Sequence, residues 1–236
     1  MLDDLLPAGV SASVRTRDVD GPLSADEARI VRNAIETRRR EFTTARMCAR
    51  EALEALGFHP VQILQDERRA PIWPDGVVGS ITHCTGFRAA AVARSTAVRS
   101  LGIDAEPRSP LPDGVADLVL TSAERTTLRA ATEVLPEEVE RLIFVIKESI
   151  YKAWYPLTKS WLGFQDVSVT VAADGTASAR RHTASDEPTA VPREFHSRWK
   201  ISQGLIIAST VIPWDTTEPR TAAAHVPRRR DHDHDR

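Results

Sequence analysis

The chain has 236 residues, of which 42% are apolar and 27% charged, and its formal net charge is −2. This composition is typical of a globular protein with one or two domains and a sizeable core. The small net charge argues against a protein held to nucleic acid or to a membrane surface by bulk electrostatics. The two cysteines, Cys48 and Cys84, lack a metal-type spacing, and no apolar run approaches the length of a membrane span. Because the N-terminus is also too short and acidic for a signal peptide, we expect a cytoplasmic protein.

The first helical region contains a run of arginines. It follows a predicted short strand and a loop in residues 1–23, and it opens at Ser24 and Glu27, which form a capping-box pattern. We expect two helices with a bend near residues 40–43, ending at Gly57. Three arginines share one side if the second helix is continuous: Arg39, Arg46 and Arg50. A solvated basic face and an anion-binding face both agree with this spacing.

Two predicted strands, 77–84 and 88–94, form a hairpin that turns at Gly86. A loop precedes them and contains Arg68 and Arg69. The hairpin leads directly into another predicted strand, Val98–Pro107. We therefore expect His83 on the hairpin and Asp104 on the following strand to lie at the same end of one sheet.

Two acidic residues share one face of this third strand, because Asp104 and Glu106 are two positions apart. Carboxylates placed side by side repel each other unless a cation or a shared proton relieves them. The spacing therefore indicates a cation site. Solvated acids at a strand edge are the alternative.

A long helix is predicted from Glu137 to Tyr155, ending before Pro156 because a residue that precedes proline disfavours the α conformation. Glu148 and Lys152 lie four apart on one face, among bulky apolar residues. This setting favours a partly buried ionic site over a surface ion pair. If the helix packs on the acidic strand, its glutamate joins the two strand carboxylates, and three oxygen ligands of this kind suit Mg²⁺.

The C-terminal part is predicted to form two hairpins. The first joins 164–172 to 176–181 across Asp174-Gly175, and the second joins 196–202 to 205–212 across Gln203-Gly204. Together with the helices, these strands predict an α+β protein with two similar half-domains, each with helices packed on an antiparallel sheet. The halves are expected at 1–107 and 108–215. Residues 216–236 lack an apolar pattern and are expected to form a disordered tail.

Three stretches carry a resemblance to a known family: GSITHC at 79–84, GIDAE at 102–106 and FVIKESIYKAWYPLT at 144–158. In this order they resemble the 4′-phosphopantetheinyl transferase superfamily, within it the monomeric surfactin- and enterobactin-type class, and especially its actinobacterial members. The resemblance implies the fold of that family and transfer of 4′-phosphopantetheine from coenzyme A to a serine of an apo acyl or peptidyl carrier protein. The product would be 3′,5′-ADP. The alternatives are a metal-dependent phosphodiesterase acting on a nucleotide and an arginine-rich binding module.

The resemblance also implies roles for individual residues. Mg²⁺, or alternatively Mn²⁺, would be held by Asp104, Glu106 and Glu148. The contacts to coenzyme A would come from Arg39, Arg46, Arg50, Arg68, Thr82, His83, Lys147 and Lys152. The catalytic residues would be Glu148, Lys152 and His83, with the serine proton taken by Glu148 or by a water that it holds. Within the coenzyme A set, Arg46 would contact the 3′-phosphate, and either Arg68 or Arg69 would face the ligand.

The segment after the long helix, Tyr155–Phe164, is predicted to meet the carrier protein, because it mixes apolar residues with a lysine. Lys159 and Leu162 are the expected contact residues. Trp161 and Phe164 are instead expected to pack the junction between the two halves.

Overall fold

The computed structural model describes residues 1–59, 61–130, 135–182 and 192–214. The first half of the chain contains, after a 3₁₀ turn at Asp3–Leu5, the elements β1 (Val10–Arg15), α1 (Ala25–Ile30), α2 (Glu36–Ala55), β2 (Val77–Cys84) and β3 (Phe87–Arg94). The remainder contains β4 (Ser100–Pro107), α3 (Val115–Val119), α4 (Ser122–Ala130), α5 (Val139–Thr158), β5 (Val167–Val171), β6 (Thr176–Arg181), β7 (Glu194–Ser202) and β8 (Leu205–Ile212), with a 3₁₀ turn at Phe164–Asp166. None of the helices in these described ranges is long and apolar enough to cross a membrane.

A three-stranded antiparallel sheet in the order β1-β3-β2 forms the core of the first half. Its middle strand, β3, is rich in alanine and buried on both faces. Because side chains alternate along a strand, Ala90 and Val92 pack against α2, while Ala89, Ala91 and Ala93 face β4. The small side chains let both neighbours approach the sheet closely.

A five-stranded antiparallel sheet in the order β4-β8-β7-β6-β5 forms the second half, and α5 packs across one of its faces. Ile146, Ile150 and Trp154 of α5 share a buried cluster with Trp199 of β7 and Ile206 of β8. The two predicted hairpins are confirmed. Gln203 and Gly204 both have positive φ, as the tight turn between β7 and β8 requires.

The position of β4 differs from the expectation. The strand does not extend the sheet of the β2–β3 hairpin but pairs with β8 along its whole length, so His83 and Asp104 lie in different sheets. Strand β2 nevertheless packs beside it, and the backbone N–H of Ile103 donates to Ser80 Oγ at 3.1 Å. The division of the chain after Pro107 stays a prediction.

Two helix boundaries also differ. The capping box at Ser24 and Glu27 is confirmed, but the break between the first two helices falls between Ile30 and Glu36 rather than near residues 40–43. Helix α5 does not stop before Pro156 and continues to Thr158, because burial of Trp154 and Tyr155 holds its last turn and the N–H of Lys159 closes it on the carbonyl of Tyr155. The expected tail at 216–236 lies outside the described residues, as does most of the loop between β6 and β7.

Candidate active site

The predicted ionic site lies where α5 crosses β4. Asp104 is buried there, and its two carboxylate oxygens differ in their partners. The ammonium of Lys152 and the hydroxyl of Thr82 both donate to Oδ1, at 2.7 and 3.0 Å. Oδ2 is also buried, yet it has no hydrogen-bond partner among the residues that the structure describes. The carboxylate is therefore held in one orientation with one oxygen left for a further ligand.

Glu106 and Glu148 complete the acidic cluster. Burial, followed by repulsion from Asp104, raises the pKa of Glu106, while the cations of Arg141 and Lys152 oppose this shift. Burial likewise raises the pKa of Glu148, and repulsion from Asp104 and Glu106 adds to it. For both glutamates, repulsion from a neighbouring carboxylate is thus one cause of the raised pKa.

Lys152 does not form the simple ion pair with Glu148 that a surface helix would contain. Its ammonium reaches across to β4, where it donates to the carbonyl of Ile103 at 3.2 Å and to Asp104. The side chain is about a quarter exposed. Lys152 therefore compensates the charge of Asp104 on β4. The alternative, an exposed ion pair between Glu148 and Lys152 on the helix surface, is wrong.

Carboxylates are the ligands that Mg²⁺ prefers, and Asp104 Oδ2 lacks a partner among the described residues, so the donor set suits a hard cation. The three carboxylates do not, however, surround a common point at which a metal ion could bind. Across the described ranges, no group of three or more His, Cys, Asp or Glu side chains is arranged so that it could hold a metal ion. The ammonium of Lys152 stands beside Asp104 and partly compensates the carboxylates.

Lys147 was predicted to contact phosphate, but the structure does not bring it to the acidic cluster. Its buried ammonium donates to the carbonyls of Val119 and Phe164 and to Glu124, at 2.7 to 2.8 Å. These acceptors use all three of its donors. Lys147 therefore ties α5 to α4 and to the segment before β5.

His83 lies at the end of β2, next to a cation that the sequence did not single out as a site residue. The guanidinium of Arg38 is within hydrogen-bonding distance of its Nε2, and a carboxylate oxygen of Glu41 lies 3.8 Å from Nδ1. Burial and the charge of Arg38 lower the pKa of His83 to about 4. Because a guanidinium only donates, the imidazole is neutral and accepts at Nε2. A phosphate would meet the guanidinium of Arg38 together with this ring.

The three arginines that share one side of α2 have different surroundings. Arg39 is exposed and pairs with Glu36, and Arg50 binds the buried Glu27 and two backbone carbonyls. Arg46 is buried over the ring of Phe42, with its Nε donating to the carbonyl of Ile63 at 2.8 Å. Burial lowers the pKa of this guanidinium to about 10. Its Nη2 is buried and has no hydrogen-bond partner in the described part of the chain, so one donor of Arg46 is unused.

The loop before β2 separates Arg68 from Arg69. Asp66 accepts the backbone N–H groups of Arg68 and Ala70, and this tight turn leaves Arg69 with a φ of 66°. This left-handed conformation is one that glycine adopts without strain, so an arginine here is unusual. Burial raises the pKa of the Tyr151 hydroxyl on α5, and the charge of Arg68 opposes this shift.

A cavity of about 100 Å³ lies beside Glu148, and the sequence did not predict it. Aromatic residues form one wall, with the rings of Tyr151 and Trp161 5.1 Å apart. The further lining residues are Lys147, Leu162, Gly163, Phe164 and Val167. Trp161 is 64% exposed and Leu162 is buried, which reverses the expectation for these two neighbours.

These features define an ionic site between the two sheets. It combines acidic side chains, cations that could bind phosphate and an apolar cavity, a combination that suits an enzyme acting on a phosphorylated substrate. Comparison with known protein families agrees. A family model for the 4′-phosphopantetheinyl transferase N-terminal domain matches residues 26–93, and one for the 4′-phosphopantetheinyl transferase superfamily matches residues 100–209.

Three actinobacterial proteins are similar over most of the chain. The 4′-phosphopantetheinyl transferase Npt of Nocardia iowensis is 44% identical over 221 residues, which is 89% of this chain and 98% of the relative. Svp of Streptomyces mobaraensis is 43% identical over 95% of both chains. PptT of Mycobacterium tuberculosis is 42% identical over 79% of this chain and 85% of the relative.

The chain belongs to the 4′-phosphopantetheinyl transferase superfamily. It is accordingly an enzyme that transfers 4′-phosphopantetheine.

Proposed function

We propose that the enzyme takes 4′-phosphopantetheine from coenzyme A, attaches it to a serine of an apo acyl or peptidyl carrier protein and releases 3′,5′-ADP. One observation carries this proposal. The family motifs on β4 and α5 bring Asp104, Glu106 and Glu148 into one cluster, where a buried oxygen of Asp104 has no partner among the described residues. Such a cluster suits the pyrophosphate of coenzyme A with a divalent cation, and the cations around it suit its other phosphates.

The cation in this proposal is Mg²⁺, with Mn²⁺ as the alternative, held by Asp104, Glu106 and Glu148. When bound, it would neutralise charge on the pyrophosphate oxygens and on the leaving 3′,5′-ADP. The chain prepares this position by fixing Asp104 through Thr82 and Lys152. Because Lys152 is held on the same carboxylate, it is placed to donate to a phosphoryl oxygen as charge develops there.

The phosphates of coenzyme A would be bound by cations with available donors. Arg46 has a buried Nη2 without a described partner and is the proposed contact to the 3′-phosphate. Arg38 with His83, and Arg68, whose charge acts on Tyr151 of α5, are the proposed contacts nearer the pyrophosphate. Arg39, Arg50 and Lys147 are engaged by acidic residues of the protein, so we assign them supporting roles.

The proton of the carrier serine would go to Glu148 or to a water that it holds. Burial and neighbouring carboxylates raise the pKa of Glu148, which makes it a better base than an ordinary glutamate. The apolar cavity next to Glu148 gives room for part of the pantetheine chain. We further propose that the enzyme is a monomer and acts in the cytoplasm, where coenzyme A and apo carrier proteins meet.

The test is incubation with coenzyme A, Mg²⁺ and an apo carrier protein, followed by mass spectrometry of the carrier and chromatography of the nucleotides. We expect the carrier to gain the mass of one phosphopantetheine while an equal amount of 3′,5′-ADP appears. A carrier with alanine in place of its serine should stay unchanged. Release of 3′,5′-ADP without modification of the carrier would instead support a phosphodiesterase. If neither product appears, both activities are excluded.

A further inference from the structure

Arg141 lies at the beginning of α5 and makes three contacts that the reaction itself does not account for. Its Nη1 is 3.2 Å from Glu106 Oε2. Its Nε and Nη2 donate to the carbonyls of Ser109 and Pro110, at 2.6 and 2.7 Å. The side chain is only 11% exposed. One guanidinium thus joins a proposed metal ligand to the segment that follows β4.

The spacing along α5 gives these contacts a pattern. Arg141, Glu148 and Lys152 are seven and four residues apart, so they lie on one face of the helix, towards β4. Lys152 compensates Asp104 at one end of this face and Arg141 compensates Glu106 at the other. Each carboxylate of the strand therefore has its own cation from the helix, and Glu148 lies between them.

We infer that Arg141 is a positioning residue: it holds the Glu106 carboxylate towards the acidic cluster and couples its orientation to segment 108–110. Glu106 is 29% exposed and shares its strand face with the carboxylate of Asp104, so without a cation beside it its own carboxylate would turn towards solvent. The guanidinium is planar and rigid, so a shift of the segment moves the carboxylate with it. This inference rests on the proposed function, since Glu106 matters there as a metal ligand.

The test compares Arg141→Met with Arg141→Lys and with a matched control, Arg108→Gln. Arg108 also links this segment to α5, through Glu138 at 2.9 Å, but it does not contact Glu106. The affinity for Mn²⁺ is measured by electron paramagnetic resonance with coenzyme A present and carrier protein absent. We expect about tenfold weaker Mn²⁺ binding for Arg141→Met, a smaller loss for Arg141→Lys, and wild-type affinity for Arg108→Gln.

Equal Mn²⁺ affinity of Arg141→Met and wild type would overturn the positioning role, and so would the same loss in Arg108→Gln. A wild-type protein that transfers nothing and binds no Mn²⁺ would instead remove the proposed function.

A second measurement, on the metal-free protein, distinguishes failure of the positioning role from failure of the proposed function. In a double-mutant cycle, the fall in melting temperature caused by Arg141→Met should shrink by roughly half in a Glu106→Gln background. Additive changes would show that Arg141 does not position Glu106, whatever the protein's activity.

Discussion

Asp104 illustrates how a single side chain is prepared for a ligand. A carboxylate without neighbours would rotate and share its two oxygens with solvent, but here Thr82 and Lys152 both hold Oδ1. Oδ2 stays buried without a described partner. The cost of leaving a buried acceptor unpaired is about 1–3 kcal/mol, which a bound cation would recover.

Glu148 should destabilise the metal-free protein, which gives a prediction for Glu148→Gln. A carboxyl with a raised pKa binds its proton more tightly in the folded state, so stability falls as pH rises above the ordinary glutamate value. We expect the amide to raise the melting temperature in EDTA by a few degrees at pH 8 and by less at pH 5. Transfer activity should be lost.

Asp104→Asn is the matched control for this prediction. It removes a carboxylate from the same cluster, but it also removes the charged partner of Lys152, so its melting temperature should fall. Differential scanning calorimetry at both pH values measures the two variants. A rise for Asp104→Asn together with a fall for Glu148→Gln would show that the electrostatics of the cluster are reversed.

Arg46→Met separates binding of the 3′-phosphate from chemistry. Methionine keeps the packing against Phe42 but removes the Nη2 donor, which should weaken coenzyme A binding by about 1.5–3 kcal/mol. Dephospho-coenzyme A should bind the variant and the wild type equally. Isothermal titration calorimetry measures both ligands, with Arg29→Met, at an exposed arginine of α1, as the control. If Arg46→Met prefers coenzyme A over dephospho-coenzyme A as strongly as the wild type does, Arg46 does not contact the 3′-phosphate.

At the scale of elements, the contact between α5 and β4 sets the distances within the site. It depends on Gly102, because a Cβ at this position would lie 2.0 Å from the carbonyl oxygen of Ser149 and 2.7 Å from the amide of Ala153. Both atoms are backbone, so the helix itself would have to move. The glycine therefore brings Lys152 and Glu148 to the strand that carries Asp104.

Gly102→Ala should consequently impair catalysis and stability together. We expect about 3 kcal/mol of destabilisation from overpacking and a fall of about a hundredfold in transfer rate from misplacement of α5. Denaturant unfolding and steady-state kinetics measure these effects. The control is Gly21→Ala, where the added methyl meets only the flexible side chain of Met47. Similar behaviour of the two variants would contradict the role of close packing at Gly102.

The segment that follows α5 is the proposed docking element for the carrier protein. Lys159 caps the helix with a positive φ and lies over the ring of Tyr155, while the neighbouring Trp161 is largely exposed. An exposed tryptophan is typical of the core of an interface, and a neighbouring lysine can lie on its polar rim. Leu162, expected from the sequence as a contact, is buried instead and belongs to the core.

We expect Lys159→Glu and Trp161→Ala to raise the Michaelis constant for the carrier by about fivefold or more, with little change for coenzyme A. Lys159→Glu should also reduce the salt dependence of the reaction. Lys200→Glu, on β7 and paired with Asp4, is a matched charge-reversal control. Equal effects on both substrates, or an effect of the control on the carrier alone, would place the docking surface elsewhere.

At the scale of the whole molecule, β4 joins the two halves. It pairs with β8 in the second sheet, while its apolar residues Leu101 and Ile103 share a cluster with the alanines of β3. A first half folded alone would expose this face of β3. We therefore expect one cooperative unfolding transition, with equal calorimetric and van't Hoff enthalpies. Two separate transitions in scanning calorimetry would show that the halves are independent.

Much of the local structure was determined by the sequence itself. The hairpin turns at Asp174-Gly175 and Gln203-Gly204 were predictable because each contains a glycine, which adopts positive φ without tertiary help. The acidic face of β4 was predictable because side chains alternate along any strand. Ordered motifs identified the family and contain the three carboxylates that we propose as metal ligands. Each of these properties is set by residues that are near one another in the chain.

The tertiary structure alone decided which partners distant groups would have. Lys147 binds Glu124, His83 binds Arg38, and β4 pairs with β8 rather than with the preceding hairpin. Helix α5 passes through Pro156 because burial of its neighbours outweighs the local preference to stop. In each case, burial, charge compensation or close packing between remote segments determines the outcome.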